Sequence, residues 1–314
     1  MNIKSDKRIE AILREIEKYC GENNSICDNM CYGICDIGTD HGFVPAETVL
    51  RGIVPRAIAT DISEKSLEKA RKLFADLGIA DKTETRTGDG LSAVGFDEAK
   101  VFVIAGMGGH NIAEILRGRT PLEYNRFVFV PHTNAYFLRD FLCRSGYEIL
   151  SDRCAGDSGK FYDVISAAYR GKEFCFDIAG GEPFPESVRG DFSFFESADG
   201  VFLPFSKNGG GDFSSFSDGA RGDFSFFESA DSDFSPLFKN ADGRFLPRGA
   251  IREIFLHFGR DNFLSANEDF RDKLIKKVNE FDNILKRVYN IKCKEQKSLF
   301  DSALSLYDAI NKRT

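Results

Sequence analysis

Residues 35–45, CDIGTDHGFVP, set two acids, Asp36 and Asp40, and His41 around Gly38 and Gly42, between an apolar strand-like run and an apolar helical one. A short acidic corner bearing glycines, at the point where a strand gives way to a helix, is more than a plain turn requires. Backbone amides and a helix start converge there, so it can hold a nucleotide-like ligand. The dinucleotide fingerprint G-x-G-x-x-G is not met, because positions 38, 40 and 43 read Gly, Asp and Phe. An acid where a pyrophosphate would approach repels it, whereas a ligand carrying an amine or a sulfonium is attracted to Asp36 and Asp40.

Three further corners repeat the pattern. RAIATDI ends in Asp61, 23 residues after Gly38, the place of an acid that takes ribose hydroxyls, with Ile62 beside it. GDGL at 88–91 puts Asp89 where it can accept from an adenine amino group, while Gly88 and Gly90 let the chain come close. VFVIAGMGGHNI at 101–112 brackets Met107 with Ala105, Gly106, Gly108 and Gly109, where the fourth strand faces the reactive end of a ligand. A lone Asp at a strand end is often a helix cap, and a lone GDG is often a tight turn. Together, at successive strand ends, they indicate a nucleoside, and S-adenosylmethionine (SAM) carries the nucleoside, the amine and the sulfonium. The expected cofactor-binding residues are therefore Asp36, Gly38, Asp40, Asp61, Ile62, Gly88, Asp89, Gly90, Ala105, Gly106, Met107, Gly108 and Gly109.

These corners need a sheet to align them. Strand-like runs fall at 32–37, 57–61, 83–87, 101–105, 127–130, 147–154 and 161–169, and helical patterns at 45–51, 64–77, 111–117 and 135–145. Their alternation predicts an α/β fold with a mostly parallel sheet covered on both faces. The last two strands, joined by AGDSGK with no room for a helix, are expected to pair antiparallel. Seven strands ending this way is the layout of a Rossmann-like class I methyltransferase sheet. Residues 1–172 are assigned to this domain.

Residues 173–248 differ in kind. They carry 13 Asp plus Glu against 6 Lys plus Arg, from 174 onward, a net of −7 that equals the net of the whole chain. The remainder is thus neutral, and the overall acidity does not exclude a polyanionic partner. RGDFSFFESAD occurs at 189–199 and again, unchanged, at 221–231. Two copies are too few for a solenoid, and the Gly, Ser, Asp and Phe content predicts a disordered or loosely packed insertion. Spaced Phe in an acidic background also suits a protein-binding role. Residues 249–314 are helical by pattern. Phe270, Leu274, Val278, Phe281, Leu285 and Val288 recur at spacings of three and four, and after a break at NIKCKEQKS so do Leu299, Ala303, Leu306 and Ile310. Two antiparallel helices follow, with Lys273, Lys276, Lys277, Lys286, Arg287, Lys292, Lys294 and Lys297 as a track for RNA phosphates or as a solvated face.

With no run of about 18 apolar residues and no apolar signal region, a cytoplasmic protein without a membrane span is expected, its eight cysteines as thiols. Cys27, Cys31 and Cys35 recur every four residues, a spacing that fits neither the radical-SAM cluster nor paired zinc thiols, so no metal is expected.

DIGTDHGFVP at 36–45, GDGL at 88–91, IAGMGG at 104–109 and PHTN at 131–134 together resemble the bacterial tRNA (adenine 22 N1)-methyltransferase family. The likeness covers about residues 6–170 and, more faintly, 249–290, where FGRDNFLSANEDF looks like the start of the family's C-terminal helical hairpin. It departs at 131–134, where relatives carry a Gln-Pro-Asn variant, and at the insertion. The resemblance implies a SAM-dependent enzyme that methylates N1 of an adenine in the D-arm region of tRNA. It also implies Asp40 as the group that accepts from the exocyclic amine, with His41 and Asn134 lining the base pocket. The alternatives are a SAM-binding protein with altered catalysis that recruits a partner, and a methyltransferase for another RNA or a small molecule.

Overall fold

The computed structural model describes residues 7–21, 32–172, 192–196, 202–206, 254–286 and 291–311. Helix α1 (Lys7–Gly21) precedes β1 (Tyr32–Ile37), α2 (Phe43–Leu50), β2 (Ala57–Asp61), α3 (Glu64–Asp76), β3 (Thr83–Thr87), a 3₁₀ turn at Gly90–Ala93 and β4 (Ala99–Met107). Then come α4 (Gly109–Leu116), β5 (Arg126–Pro131), α5 (Ala135–Arg144), β6 (Tyr147–Asp157) and β7 (Lys160–Tyr169). The seven strands form one sheet in the order β3-β2-β1-β4-β5-β7-β6. Strands β1 to β5 pair parallel, and β7 pairs antiparallel with both β5 and β6. The expected α/β fold with an antiparallel end is the one observed.

Central strands are buried on both faces, as parallel strands flanked by helices must be. Ile34, Val101, Val103 and Val128 meet one helical layer, while Cys35, Phe102, Ile104, Phe127 and Phe129 meet the other. Period-two alternation sends each strand's side chains to the two layers in turn. Helix α1 was not among the expected elements. Its Ile9, Ile12, Leu13 and Ile16 recur at helical spacing and are buried. Buried Glu15 on the same helix accepts from Ser166 Oγ at 2.7 Å and Ser151 Oγ at 3.1 Å, anchoring α1 to β6 and β7.

The C-terminal part consists of helical residues 254–258, α6 (Arg260–Leu264), α7 (Glu268–Leu285) and α8 (Ile291–Asn311). Arg271 with Asp308, and Lys297 with Asp282, show α7 and α8 running antiparallel, as expected. Strand β6 is an edge, and an edge exposes unpaired amides. Here the amides of Asp152, Cys154 and Gly156 donate to the side chains of Asp261, Asn262 and Asp269 at 3.0, 2.5 and 3.0 Å. The stretch FGRDNFLSANEDF thus caps three alternate residues, 152, 154 and 156, in the second half of the edge.

Buried Arg139 completes the junction. It donates to Asp152, to Asp163, and to the carbonyls of Leu256 and His257. Within the 173–248 segment, β8 (Phe192–Glu196) and β9 (Phe202–Ser206) pair antiparallel in a small sheet of their own. The second repeat copy, at 221–231, lies outside the described residues.

Candidate functional site

The carboxyl ends of β1 to β4 converge on a cleft of about 390 Å³, within the size range of small-molecule sites. Ile37 and Gly38 come from the end of β1, Asp61 and Ile62 from β2, Gly88, Asp89 and Gly90 from the turn after β3, and Ala105, Gly106 and Met107 from β4. Helix α4 adds Asn111, Glu114 and Ile115.

Backbone hydrogen bonds hold the corners in register. The amides of Gly38 and Thr39 donate to the Thr60 carbonyl at 2.8 and 2.9 Å, and the Gly88 amide donates to the Asp61 carbonyl at 3.1 Å. Asp61 Oδ2 accepts from the Asp40 amide at 3.0 Å and Oδ1 from the Ser63 amide at 2.8 Å. One carboxylate therefore ties the first two corners together and still faces the cleft. Gly38 has φ +72°, a conformation that L side chains rarely adopt, so glycine makes this turn without strain, with the Met107 methyl packed directly against it.

On the far side of β4, His132 donates its amide to the Met107 carbonyl at 2.8 Å, and the Gly109 amide donates to the Thr133 carbonyl at 2.8 Å. A side chain on Gly109 would overlap the Asn134 carbonyl, so the PHTN corner rests directly on the GMGG corner. Asn134 sits at the start of α5 with φ 56° and makes no side-chain cap bond, so its amide group is not used as a helix cap.

Asp36 is buried, accepts from Thr39 Oγ1 at 2.7 Å and does not line the cleft. Burial pushes its carboxyl up to about 6, against the opposing Thr39 hydrogen bond and with help from the nearby Asp61 charge. Asp40 is exposed and left-handed, with φ 49°. Its carboxylate meets Lys69 Nζ at 3.2 Å, Ser66 Oγ at 3.3 Å and His41 Nε2 at 3.4 Å. Gly108 and Gly109 shape the turn without lining the cleft. The structure therefore brings nine of the expected cofactor residues to one cavity, and sets Asp36, Asp40, Gly108 and Gly109 behind or beside it.

Sequence reasoning missed Ile37, Asn111, Glu114 and Ile115. Positions 111, 114 and 115 share one helical face directly after the GMGG corner, a signal that was readable. Among the lining residues are the acids Asp61, Asp89 and Glu114, with no Lys, Arg or His. Such a lining favours a cationic nucleoside over a diphosphate.

Residues 23–165 match a methyltransferase-domain family model. The tRNA (adenine(22)-N(1))-methyltransferase of Bacillus subtilis is 31% identical over 146 residues, covering 46% of this chain and 61% of that protein. The chain thus spans about 61% of the length of the curated relatives it matches. In fold it is similar to Streptococcus pneumoniae Sp1610, with TM-score 0.59, 19% identity, and 99% of this chain and 100% of that chain covered. It is also similar to M. capricolum TrmK, solved with S-adenosylhomocysteine, with TM-score 0.56, 17% identity, and 96% and 98% covered. The curated relative matched in sequence carries the activity named by the family that the motifs resemble, and the solved structures share the fold.

The predicted basic track divides. Lys273 pairs with Asp163, Lys276 donates to the Gly159 carbonyl, Lys277 pairs with Glu280, and Lys297 with Asp301. Lys286, Lys292 and Lys294 are exposed near the tip of the hairpin, and Arg287 lies outside the described residues. Among the described residues no cluster of three or more His, Cys, Asp or Glu could hold a metal. Cys35 is buried in β1, while Cys27 and Cys31 are outside those residues. None of the described helices is long and apolar enough to cross a membrane.

Proposed function

We propose that this protein transfers a methyl group from SAM to N1 of an adenine in tRNA, the D-arm adenine at position 22, and works in the cytoplasm. The observation that carries the reading is the cleft lining: three carboxylates and no basic side chain around a glycine-walled cavity at the carboxyl ends of β1 to β4. The residues fit SAM. Asp61 would take the ribose hydroxyls, Asp89 the adenine amino group, and Ile62, 70% exposed at the lip, would cover the base. Gly106, at φ +80°, has only His132 Nε2 near the place of a side chain, so its backbone borders open space on the reactive side.

The bound donor supplies an electrophilic methyl: the N1–C bond forms as the S–C bond breaks, the pair returns to sulfur, and the adenine takes the positive charge. Since N1 already carries a lone pair, the chain needs no strong base. It needs alignment and exclusion of water. Asp40 and His41 stand at the end of β1 and Asn134 at the end of β5, on either side of the β4 corner. The Asp40 carboxylate or the Asn134 amide oxygen accepts from the exocyclic amine and stabilises the charge that develops on the ring. The target adenine must leave its stack to reach them, at about a few kcal/mol.

The test is mass spectrometry of a tRNA transcript incubated with the purified protein and SAM. Formation of 1-methyladenosine is expected. Calorimetric heat with NADH and none with SAM would overturn the reading.

A further inference from the structure

Phe43 opens α2, whose residues from Val44 to Val49 are all buried, yet it leaves 39% of its own surface in water. Its ring lies 5.4 Å from that of His41, with the planes only 14° apart. The base beneath the pair is fixed. Gly42, at φ +76°, is seated so closely on α3 that a side chain there would meet Phe74 and Ala70. Its amide donates to the Thr39 carbonyl at 3.1 Å, and the Thr39 amide donates to Thr60 of β2. A ring mounted on such a turn is preorganised, so a ligand that stacks on it does not also have to order it.

The surroundings decide what kind of ligand fits. Beside the stack lies a polar group, Asp40 with Ser66 and Lys69, rather than a continuous apolar patch of the sort a protein partner covers. A single aromatic pair in a polar setting matches a nucleobase, which has an apolar face and a polar edge. Neither ring lines the donor cleft, although Gly38 of the same corner does. The stack is therefore next to the donor site and distinct from the place of the donor's own adenine.

We infer that the His41–Phe43 stack is the platform on which the acceptor adenine lies during methyl transfer. This rests on the proposed reaction and deepens it. The acceptor ring gains positive charge as the N1–C bond forms, and an aromatic face attracts a cation more strongly than a neutral ring. The platform accordingly holds the charged, transition-state-like base better than the incoming one, which is the condition for raising rate as well as affinity.

The test compares Phe43→Leu, which keeps apolar bulk at the helix start, with Phe43→Trp, which restores a π face. Each is assayed with a tRNA transcript, and each is mixed with the same transcript carrying 2-aminopurine in place of the acceptor adenine. Phe43→Leu is expected to lower kcat/KM for tRNA at least tenfold, and Phe43→Trp to recover it to within threefold, with SAM affinity and Tm unchanged in both. Stacking should quench 2-aminopurine fluorescence with the parental protein and the Trp variant, and leave it bright with the Leu variant. Methylation by Phe43→Leu within twofold of the parental rate, or equal quenching by all three, overturns the platform. A parental protein that quenches the probe but forms no 1-methyladenosine supports the platform and sinks the proposed reaction. One that does neither sinks both.

Discussion

Arg139 Nε lies 2.7 Å from Asp152 Oδ2, and Nη2 lies 2.9 Å from Oδ1, with both side chains fully enclosed. Because Arg139 Nη1 also donates to the carbonyls of Leu256 and His257, the pair joins α5 and β6 to the C-terminal helices. Removing the cation of a buried pair strands its carboxylate. Arg139→Met takes from buried Asp152 the guanidinium that pairs with it and is expected to destabilise the protein by about 3–5 kcal/mol, read from urea unfolding. Glu280→Gln, which removes the surface pair with Lys277, should change stability by less than about 1 kcal/mol. Similar losses for the two variants would contradict this account.

Asn262 tests the capped edge. Its Oδ1 accepts from the Cys154 amide, while its Nδ2 donates to the Phe258 carbonyl at 2.7 Å. Asn262→Ala leaves a buried amide unpaired and should lose roughly 1–3 kcal/mol. Faster proteolysis within residues 254–286, with the sheet still protected, is the accompanying sign.

Asp36 should impose a pH dependence of a particular sign. Its carboxyl rises from an ordinary 3.8 to about 6 on folding, mainly through burial. Below the unfolded value it is protonated in both states and imposes no penalty. Above the folded value it is ionised in both, and the buried charge then weakens the fold in full. The loss builds up as pH climbs from about 4 to about 6, reaching roughly 3 kcal/mol. Asp36→Asn, which can still accept from Thr39, should therefore gain stability over the parental protein between pH 4 and pH 7, as followed by Tm. A difference that stays constant over that range would show that Asp36 does not titrate on folding.

Gly38→Ala should distort the proposed donor cleft. The added methyl demands an unfavourable φ and displaces the Met107 methyl, itself a cleft residue. SAM binding measured by calorimetry is expected to weaken at least tenfold, whereas Gly52→Ala, with an equally positive φ but open space around it, should bind SAM normally. Equal affinities for the two would remove Gly38 from the site.

The hairpin cations can be separated by role. Replacing Lys286, Lys292 and Lys294 with Glu should weaken tRNA binding and make it less dependent on salt, the slope falling by about 0.9 for each phosphate that is no longer neutralised. Lys273→Ala, by contrast, breaks the pair with Asp163 and should lower Tm. An unchanged salt slope in the triple variant would assign those lysines to a merely solvated face.

Much of the fold was legible because local signals agreed. β1, β2 and β3 have the bounds expected from their strand-like runs, and the remaining four strands differ by one to three residues at their ends. Terminal residues such as Arg126, Asp157 and Lys160 pair through their backbones, whatever their side chains, and so carry no apolar signature. Helix α1 lies outside the expected elements although Ile9, Ile12, Leu13 and Ile16 recur at helical spacing. The edge caps could not be read, because Asn262 and Cys154 are 108 residues apart and nothing local links them.

At the site, residue types and spacing by themselves determined that acids and glycines end four successive strands, and with that the class of ligand proposed. Strand ends are set by short-range pattern, and parallel pairing then gathers them at one edge of the sheet. Only the tertiary structure decided which acids face the cleft. Asp61, Asp89 and Glu114 do so, while Asp36 turns inward to Thr39 and Asp40 outward to Lys69. The direction of a carboxylate depends on backbone angles at a turn and on partners from other elements, here a left-handed Asp40 and the side chains of α3, and the order of letters does not encode these one residue at a time.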